Sequence, residues 1–233
     1  MQSQTKESVI EISDVHFRYP GKSAADVIRI PQWQVQKNER LFIYGPSGSG
    51  KSTLLNLLAG ILQPQQGQIT LLGQTFSALN NHRRDMFRAR HLGMVFQQFN
   101  LIPYLSVLDN IQLAAHFGDS KAETVNIRLQ ALFSGLQLDL QLLSRRADKL
   151  SVGQQQRAAI ARALINHPEI LIVDEPTSAL DSDARQGFLS LLLDLVEENQ
   201  STLLFVSHDR SLAHNFSRQI DMQMLNRVEA SLS

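Results

Sequence analysis

Lys51 closes a run of glycines and small hydroxyl residues, Gly45-Pro46-Ser47-Gly48-Ser49-Gly50-Lys51-Ser52-Thr53, that fits G-x-x-x-x-G-K-[ST]. Glycines let such a loop curl its backbone N–H groups around an anion, and a helix opening near Gly50 adds the positive end of its dipole. Lys51 is placed to neutralise β- and γ-phosphate charge, and the Ser52 hydroxyl to ligate Mg²⁺. A second site of chemistry is Ile170-Leu171-Ile172-Val173-Asp174-Glu175, where two carboxylates end an apolar run. Asp174 suits a metal ion or its water shell, and Glu175 suits the deprotonation of an attacking water. A third is Val206-Ser207-His208-Asp209, which puts His208 at the end of another apolar run, within reach of a terminal phosphate. The stretch Leu150-Ser151-Val152-Gly153-Gln154-Gln155-Gln156-Arg157 reads as a capped helix start, with Ser151 as the N-cap. Val152 falls at the first helical position, where a β-branched residue costs little and its backbone N–H serves as well as a glycine's.

These residues need particular elements beneath them. Val9 to Tyr19 and Val27 to Val35 alternate apolar and polar residues, which predicts antiparallel strands with one solvated face. Leu41–Tyr44, Met94–Phe96, Ile170–Val173 and Leu203–Val206 are short and apolar throughout, as buried parallel strands are. Helical patterning covers 51–62, 152–166 and 184–198, so strands and helices alternate as in an α/β layer. From Asn100 to Leu150 the strand signal stops, and Val107–Phe117 and Ala122–Leu132 read as amphipathic helices of an inserted helical subdomain. The charged run from Asn81 to Arg90 reads as a helix with a solvated face.

Composition narrows the function classes. With 22 Lys+Arg against 22 Asp+Glu the formal net charge is zero, which argues against a bulk electrostatic grip on nucleic acid. The chain has no cysteine, so disulfides and thiolate metal sites are excluded. No apolar run approaches the roughly 20 residues of a membrane span, and the first residues lack a signal-peptide core, so any membrane role is expected to come through a partner.

Taken together, the motifs resemble an ATP-binding cassette (ABC) ATPase. The order is the phosphate loop (45–53), Gln97 after a strand, LSVGQ (150–154), LIVDEP (171–176), SALD (178–181) and SHD (207–209), and the resemblance covers essentially the whole chain. It implies the α/β P-loop NTPase fold of ABC ATPases, a mixed parallel-sheet core with an antiparallel β subdomain and an inserted α-helical subdomain. Residues 1–233 are then one ABC ATPase domain. Its core is 1–99 with 151–233, and 100–150 is the helical subdomain, continuing into a signature helix at 151–167. By position, Tyr19 resembles the aromatic that stacks on adenine, with Phe17 as the alternative. Gln97 resembles the residue that reaches Mg²⁺ and reports to a transmembrane partner, with Gln98 in the neighbouring register. Asp174 then holds Mg²⁺ with Ser52 and Gln97, directly or through water.

The family also implies a head-to-tail dimer of two copies. ATP lies between the phosphate loop of one copy and Ser151, Gly153 and Gln154 of the other, and Asp181 crosses the interface. Lys51, Glu175 and His208 carry the catalysis. The segment from Gly93 to Pro103, GMVFQQFNLIP, is similar to the subgroup of lipoprotein-releasing and macrolide-exporter ATPases. That implies integral-membrane permease partners and a peripheral, cytoplasmic location. The alternative output is an ATPase driving a mechanical or signalling coupler without translocation. One departure stands out: Met224-Leu225-Asn226-Arg227-Val228 replaces the D-G-R-like turn usual near the last strand.

Overall fold

A computed structural model of the chain describes residues 7–21, 26–176 and 182–228. In chain order the elements are β1 (Ser8–Phe17), β2 (Ile28–Gln36), β3 (Arg40–Tyr44), α1 (Lys51–Leu58), β4 (Gln66–Leu71) and β5 (Gln74–Thr75). Then come α2 (Asn81–His91), β6 (Leu92–Val95), α3 (Val107–Phe117), α4 (Ala122–Gly135), α5 (Val152–Leu164) and β7 (Ile170–Asp174). The chain continues with α6 (Ser182–Glu198), β8 (Thr202–Val206), β9 (Arg218–Asp221) and α7 (Met222–Leu225). It divides into two compact units, Met1–Asp85 with Leu204–Ser233, and Met86–Leu203.

In the first unit an antiparallel sheet runs β2-β1-β4-β5. Period-two alternation puts Ile12 opposite Trp33, Val15 opposite Ile30 and Phe17 opposite Ile28, while Ile10 and Ile12 face Leu71 and Ile69 of β4. All of these side chains are buried, so a slip of one residue would turn the apolar set to water. The β1–β4 ladder is irregular between Ser13 and His16. There Gly67 has φ +80, and a Cβ on it would stand 2.1 Å from the Asp14 carbonyl oxygen, so only glycine fits. The same unit holds β3 paired in parallel with β9. Leu41, Phe42 and Ile43 of β3 are fully buried. Phe42 meets Phe216 and Phe205 with ring centroids 5.3 and 6.1 Å apart. This aromatic cluster fixes the strand from which the glycine-rich loop departs.

In the second unit β6 and β7 pair in parallel, Leu92 opposite Ile170 and Val95 opposite Val173. The Thr202 N–H donates to the Glu169 carbonyl at 2.8 Å, which sets the start of β8 beside the start of β7. Helix α5 buries Ala158, Ala159, Ile160, Ala161 and Leu164. Its Ala163 carbonyl would lie 2.6 Å from a Cβ on Gly93, so the helix packs on β6 at a distance only glycine permits. Its last turn is closed by a side chain from α4. Arg128 donates from Nε and Nη2 to the Leu164 carbonyl at 2.9 and 2.6 Å, and from Nη2 to Asn199 Oδ1. A guanidinium at a helix C-terminus satisfies orphan carbonyls and meets the negative end of the dipole. Burial pushes its pKa down to about 10, still charged at neutral pH.

The structure departs from the sequence reading in several places. Helix α1 stops at Leu58 rather than near Leu62, because Gly60 turns left-handed at φ +66 against Arg84 and Phe76. Strands β4, β5 and β9 carry too few apolar residues to announce themselves. The run from Asn81 is helical, but Arg84 is buried and donates to Asn81 Oδ1, so that helix is not solvated on every charged position. Among the described residues no helix is long and apolar enough to cross a membrane.

Replacing Arg128 by Met keeps the stem and removes the donors, leaving Leu164 and Asn199 without this partner. Urea denaturation is expected to show a loss of about 1–3 kcal/mol, the cost of unsatisfied, part-buried acceptors.

Candidate nucleotide-binding site

The first unit carries the phosphate loop, Tyr19 and His208. The chain leaves the buried β3 at Tyr44 and re-enters regular structure at Lys51, so residues 45–50 form a short β–α loop. Gly48 and Gly50 are left-handed, at φ +81 and +97. Gly50 is the N-cap of α1, so no N-cap side chain covers the helix's first N–H groups. Pro46, Ser47, Gly48 and Ser52 are exposed, whereas Gly50 and Thr53 are buried. Lys51 donates from Nζ to the Gly45 and Pro46 carbonyls at 2.8 and 3.1 Å, using two of its three N–H groups. Ser49 Oγ is buried with no hydrogen-bond partner among the described residues. Left-handed glycines, an N-cap without a side chain and the Lys51 ammonium are the groups of this loop that suit phosphate oxygens.

Tyr19 is half-buried just beyond β1, its hydroxyl 3.2 Å from Thr53 Oγ1, and its ring meets Phe17 edge-on at 5.0 Å. Phe17 is only 4% exposed, so of these two aromatics Tyr19 has the more accessible ring. His208 is exposed two residues beyond the end of β8. The turn beneath it is held by Asp209, whose N–H donates to Ser207 Oγ at 3.1 Å and whose Oδ1 accepts from the Ser211 N–H at 3.0 Å.

The second unit carries the other candidates. Asp174 is the last residue of β7, and Glu175 follows it with a left-handed backbone, φ +46. A non-glycine residue in that region costs of order 1–3 kcal/mol, and such strain gathers at functional sites. Gln97 and Gln98 are both exposed after β6. Ser151 is the N-cap of α5 in a full capping box: its Oγ accepts from the Gln154 N–H at 3.3 Å, and Gln154 Oε1 accepts from the Ser151 N–H at 3.0 Å. The cap uses a lone pair of Ser151 Oγ and leaves its proton for another acceptor. Gly153 has a Cβ position open on every side, so nothing within the chain demands a glycine there. Asp181 lies outside the described residues.

The sequence profile described as ABC transporter matches residues 28–178. The lipoprotein-releasing system ATP-binding protein LolD of Hydrogenovibrio crunogenus is 36% identical over 92% of this chain and 93% of its own length. The chain belongs to the ABC transporter family. The macrolide export ATP-binding/permease protein MacB of Pasteurella multocida is 36% identical over 93% of this chain, which spans 33% of that longer protein. Among solved structures, a dimeric post-hydrolysis state of the ATP-binding cassette MJ0796 bound to ADP and Pi superposes with a TM-score of 0.83 at 33% identity. That likeness covers 95% of this chain and 97% of the other.

Three polar side chains of the cassette escaped the sequence reading. Gln156 of α5 is buried at 1% exposure and donates from Nε2 to the Pro176 carbonyl at 2.9 Å, which ties the signature helix to the residue after Glu175. Arg162, on the same helix, donates from Nη2 to Phe99 and from Nη1 to Asn100, the two consecutive left-handed residues that follow Gln97 and Gln98. Burial lowers its pKa. Asn226 grips the phosphate loop from behind. The first two carried a faint signal as polar residues on an apolar helix face, and the third only as a departure from the family pattern.

Val152 is 50% exposed at the first position of α5 and leaves the capping box intact. Val152→Gly is therefore expected to leave steady-state ATPase within about twofold, since either residue supplies the same backbone N–H. A rise of about tenfold would instead make the valine a brake on the site.

Proposed function

We propose that the cassette binds ATP with Mg²⁺ and hydrolyses it as a dimer of two copies, powering an integral-membrane permease at the cytoplasmic face of the membrane. The permease is of the lipoprotein-release or macrolide-export type. The observation that carries the proposal is the phosphate loop, which combines left-handed glycines, the start of α1 without a side-chain cap, and Lys51. The subgroup is supported by near end-to-end likeness to a lipoprotein-releasing ATPase.

Residue roles follow from chemistry. Gly45 to Thr53 wrap the phosphates, Lys51 offsets charge on the β- and γ-phosphates, and Tyr19 stacks on adenine. The oxygens of Ser52, Gln97 and Asp174 suit Mg²⁺, which supplies charge neutralisation when bound. Among the described residues no cluster of three acidic or histidine side chains forms a cage. Glu175 takes the proton of the water that attacks the γ-phosphorus, and His208 donates to the γ-phosphate oxygens, leaving ADP and phosphate. Ser151, Gly153 and Gln154 of the second copy complete the site, with the spare proton of Ser151 directed at the γ-phosphate. Asp181 contacts the opposite loop. The open Cβ position of Gly153 suits a contact made with another molecule rather than within the chain.

Glu175→Gln is expected to bind ATP, accumulate an ATP-bound dimer on size-exclusion chromatography and turn over at least about a hundredfold more slowly. Normal turnover in that variant would remove Glu175 from the role of base. Lys51→Ala should weaken ATP binding by about tenfold or more in calorimetry, the worth of a charge-assisted contact. Unchanged affinity there would displace the phosphates from this loop.

A further inference from the structure

The segment that departs from the family pattern carries a side chain whose contacts point to a role in phosphate binding. Asn226 lies just beyond α7. Its Nδ2 donates to the Ser49 carbonyl at 3.1 Å and to the Val27 carbonyl at 2.9 Å. Its Oδ1 accepts from the Arg29 N–H at 2.8 Å. Two carbonyls need a donor and one N–H needs an acceptor, so the amide's orientation is fixed by its partners. The neighbouring Arg227 N–H adds a bond to the Arg29 carbonyl at 2.8 Å, and the Asn226 N–H one to Met222 at 2.9 Å, so the amide is anchored on both sides.

The consequence lies in the peptide plane between Ser49 and Gly50. That plane is rigid, and in the trans form its carbonyl and its N–H point in opposite directions. No cis peptide is present. Holding the Ser49 oxygen toward Asn226 therefore turns the Gly50 N–H the other way, away from Asn226. Were the plane to flip, a carbonyl dipole would take the place of that N–H. The glycine at position 50 belongs to the same device: its φ is +97, and a Cβ there would meet Ile28 Cδ1 at 2.8 Å and Asn226 Nδ2 at 3.1 Å. Asn226 thus backs the loop at the one residue that must also be left-handed and uncapped.

We infer that Asn226 is a positioning residue for ATP, locking the Ser49–Gly50 peptide so that the Gly50 N–H presents to the nucleotide's phosphates. This rests on the phosphate loop holding ATP as proposed above. It makes the C-terminal segment part of the binding machinery, through backbone orientation rather than contact with ligand.

The test uses the full chain as wild type, Asn226→Ala and Asn226→Asp, with ATP and ADP titrated calorimetrically and melting curves recorded in parallel. The Asp variant is isosteric and keeps the acceptor for Arg29, but sets oxygen against two carbonyls. The expected result is an ATP Kd raised about tenfold in Asn226→Ala and further in Asn226→Asp, the worth of one oriented hydrogen bond to a charged group. KM should rise in step while kcat at saturating ATP stays within about twofold. A lowered melting temperature with Kd and KM unchanged would make Asn226 a structural tie only and overturn the inference. So would a fall in kcat with KM unchanged. Should Asn226→Ala not fold, the same readings on Asn226→Asp decide between these outcomes. If the wild type does not bind ATP, the phosphate-loop reading fails and this inference with it; a binding wild type with indifferent variants sinks only the inference.

Discussion

A backbone N–H can recognise phosphate only if its peptide plane is prevented from turning over, and much of the first unit serves that end. The aromatic contacts of Phe42 with Phe205 and Phe216 immobilise β3, so the loop departs from a fixed point. Its far end is fixed by α1, whose Thr53, Leu54, Leu55, Leu57 and Leu58 are buried. Between these anchors the glycines take up conformations that other residues resist, and the Lys51 ammonium ties the loop to its own carbonyls. An anion bound here would meet order imposed before it arrives, which spares the ordering cost at the moment of binding.

The second unit is organised around α5, whose two ends are treated differently. The N-terminal turn is closed by a reciprocal cap between Ser151 and Gln154, which leaves Val152 and its N–H facing outward. The C-terminal turn is sealed by Arg128. In between, Gln156 and Arg162 reach from the helix to the turns after β7 and β6. One rigid rod therefore carries the signature residues and braces the loops that bear Glu175 and Gln97. A tilt of α5 would shift both loops together, so the start of this helix and the turns after β6 and β7 are mechanically linked.

Legibility in the sequence followed the range of the interactions involved. Residues whose role depends on local backbone form were visible: Lys51 and its glycines, Ser151 as a cap, Asp174 at the end of an apolar strand. Buried strands such as β3, β7 and β8 were also visible, because burial on both faces writes an unbroken apolar run. Strand β4, QGQITL, was not, since only Ile69 and Leu71 of its residues are buried and its first half is polar. Asn226 was illegible as a functional residue for a different reason: its partner Ser49 is 177 positions away in the chain. Side chains that work by holding distant carbonyls leave no periodic trace, whereas Arg84 misled because its charged neighbours in sequence gave no sign that it is buried.

Glu175 stands in a backbone conformation that glycine or asparagine adopts more cheaply. Selection for thermal robustness alone would tend to erode a glutamate there, since most substitutions toward a relaxed turn would stabilise the chain. With Glu175 as the proposed base, robustness and turnover pull apart at this position. Engineering this cassette for heat resistance by consensus or relaxed-turn substitutions should therefore treat the end of β7 as closed ground, and look for gains in the loops that carry no strain.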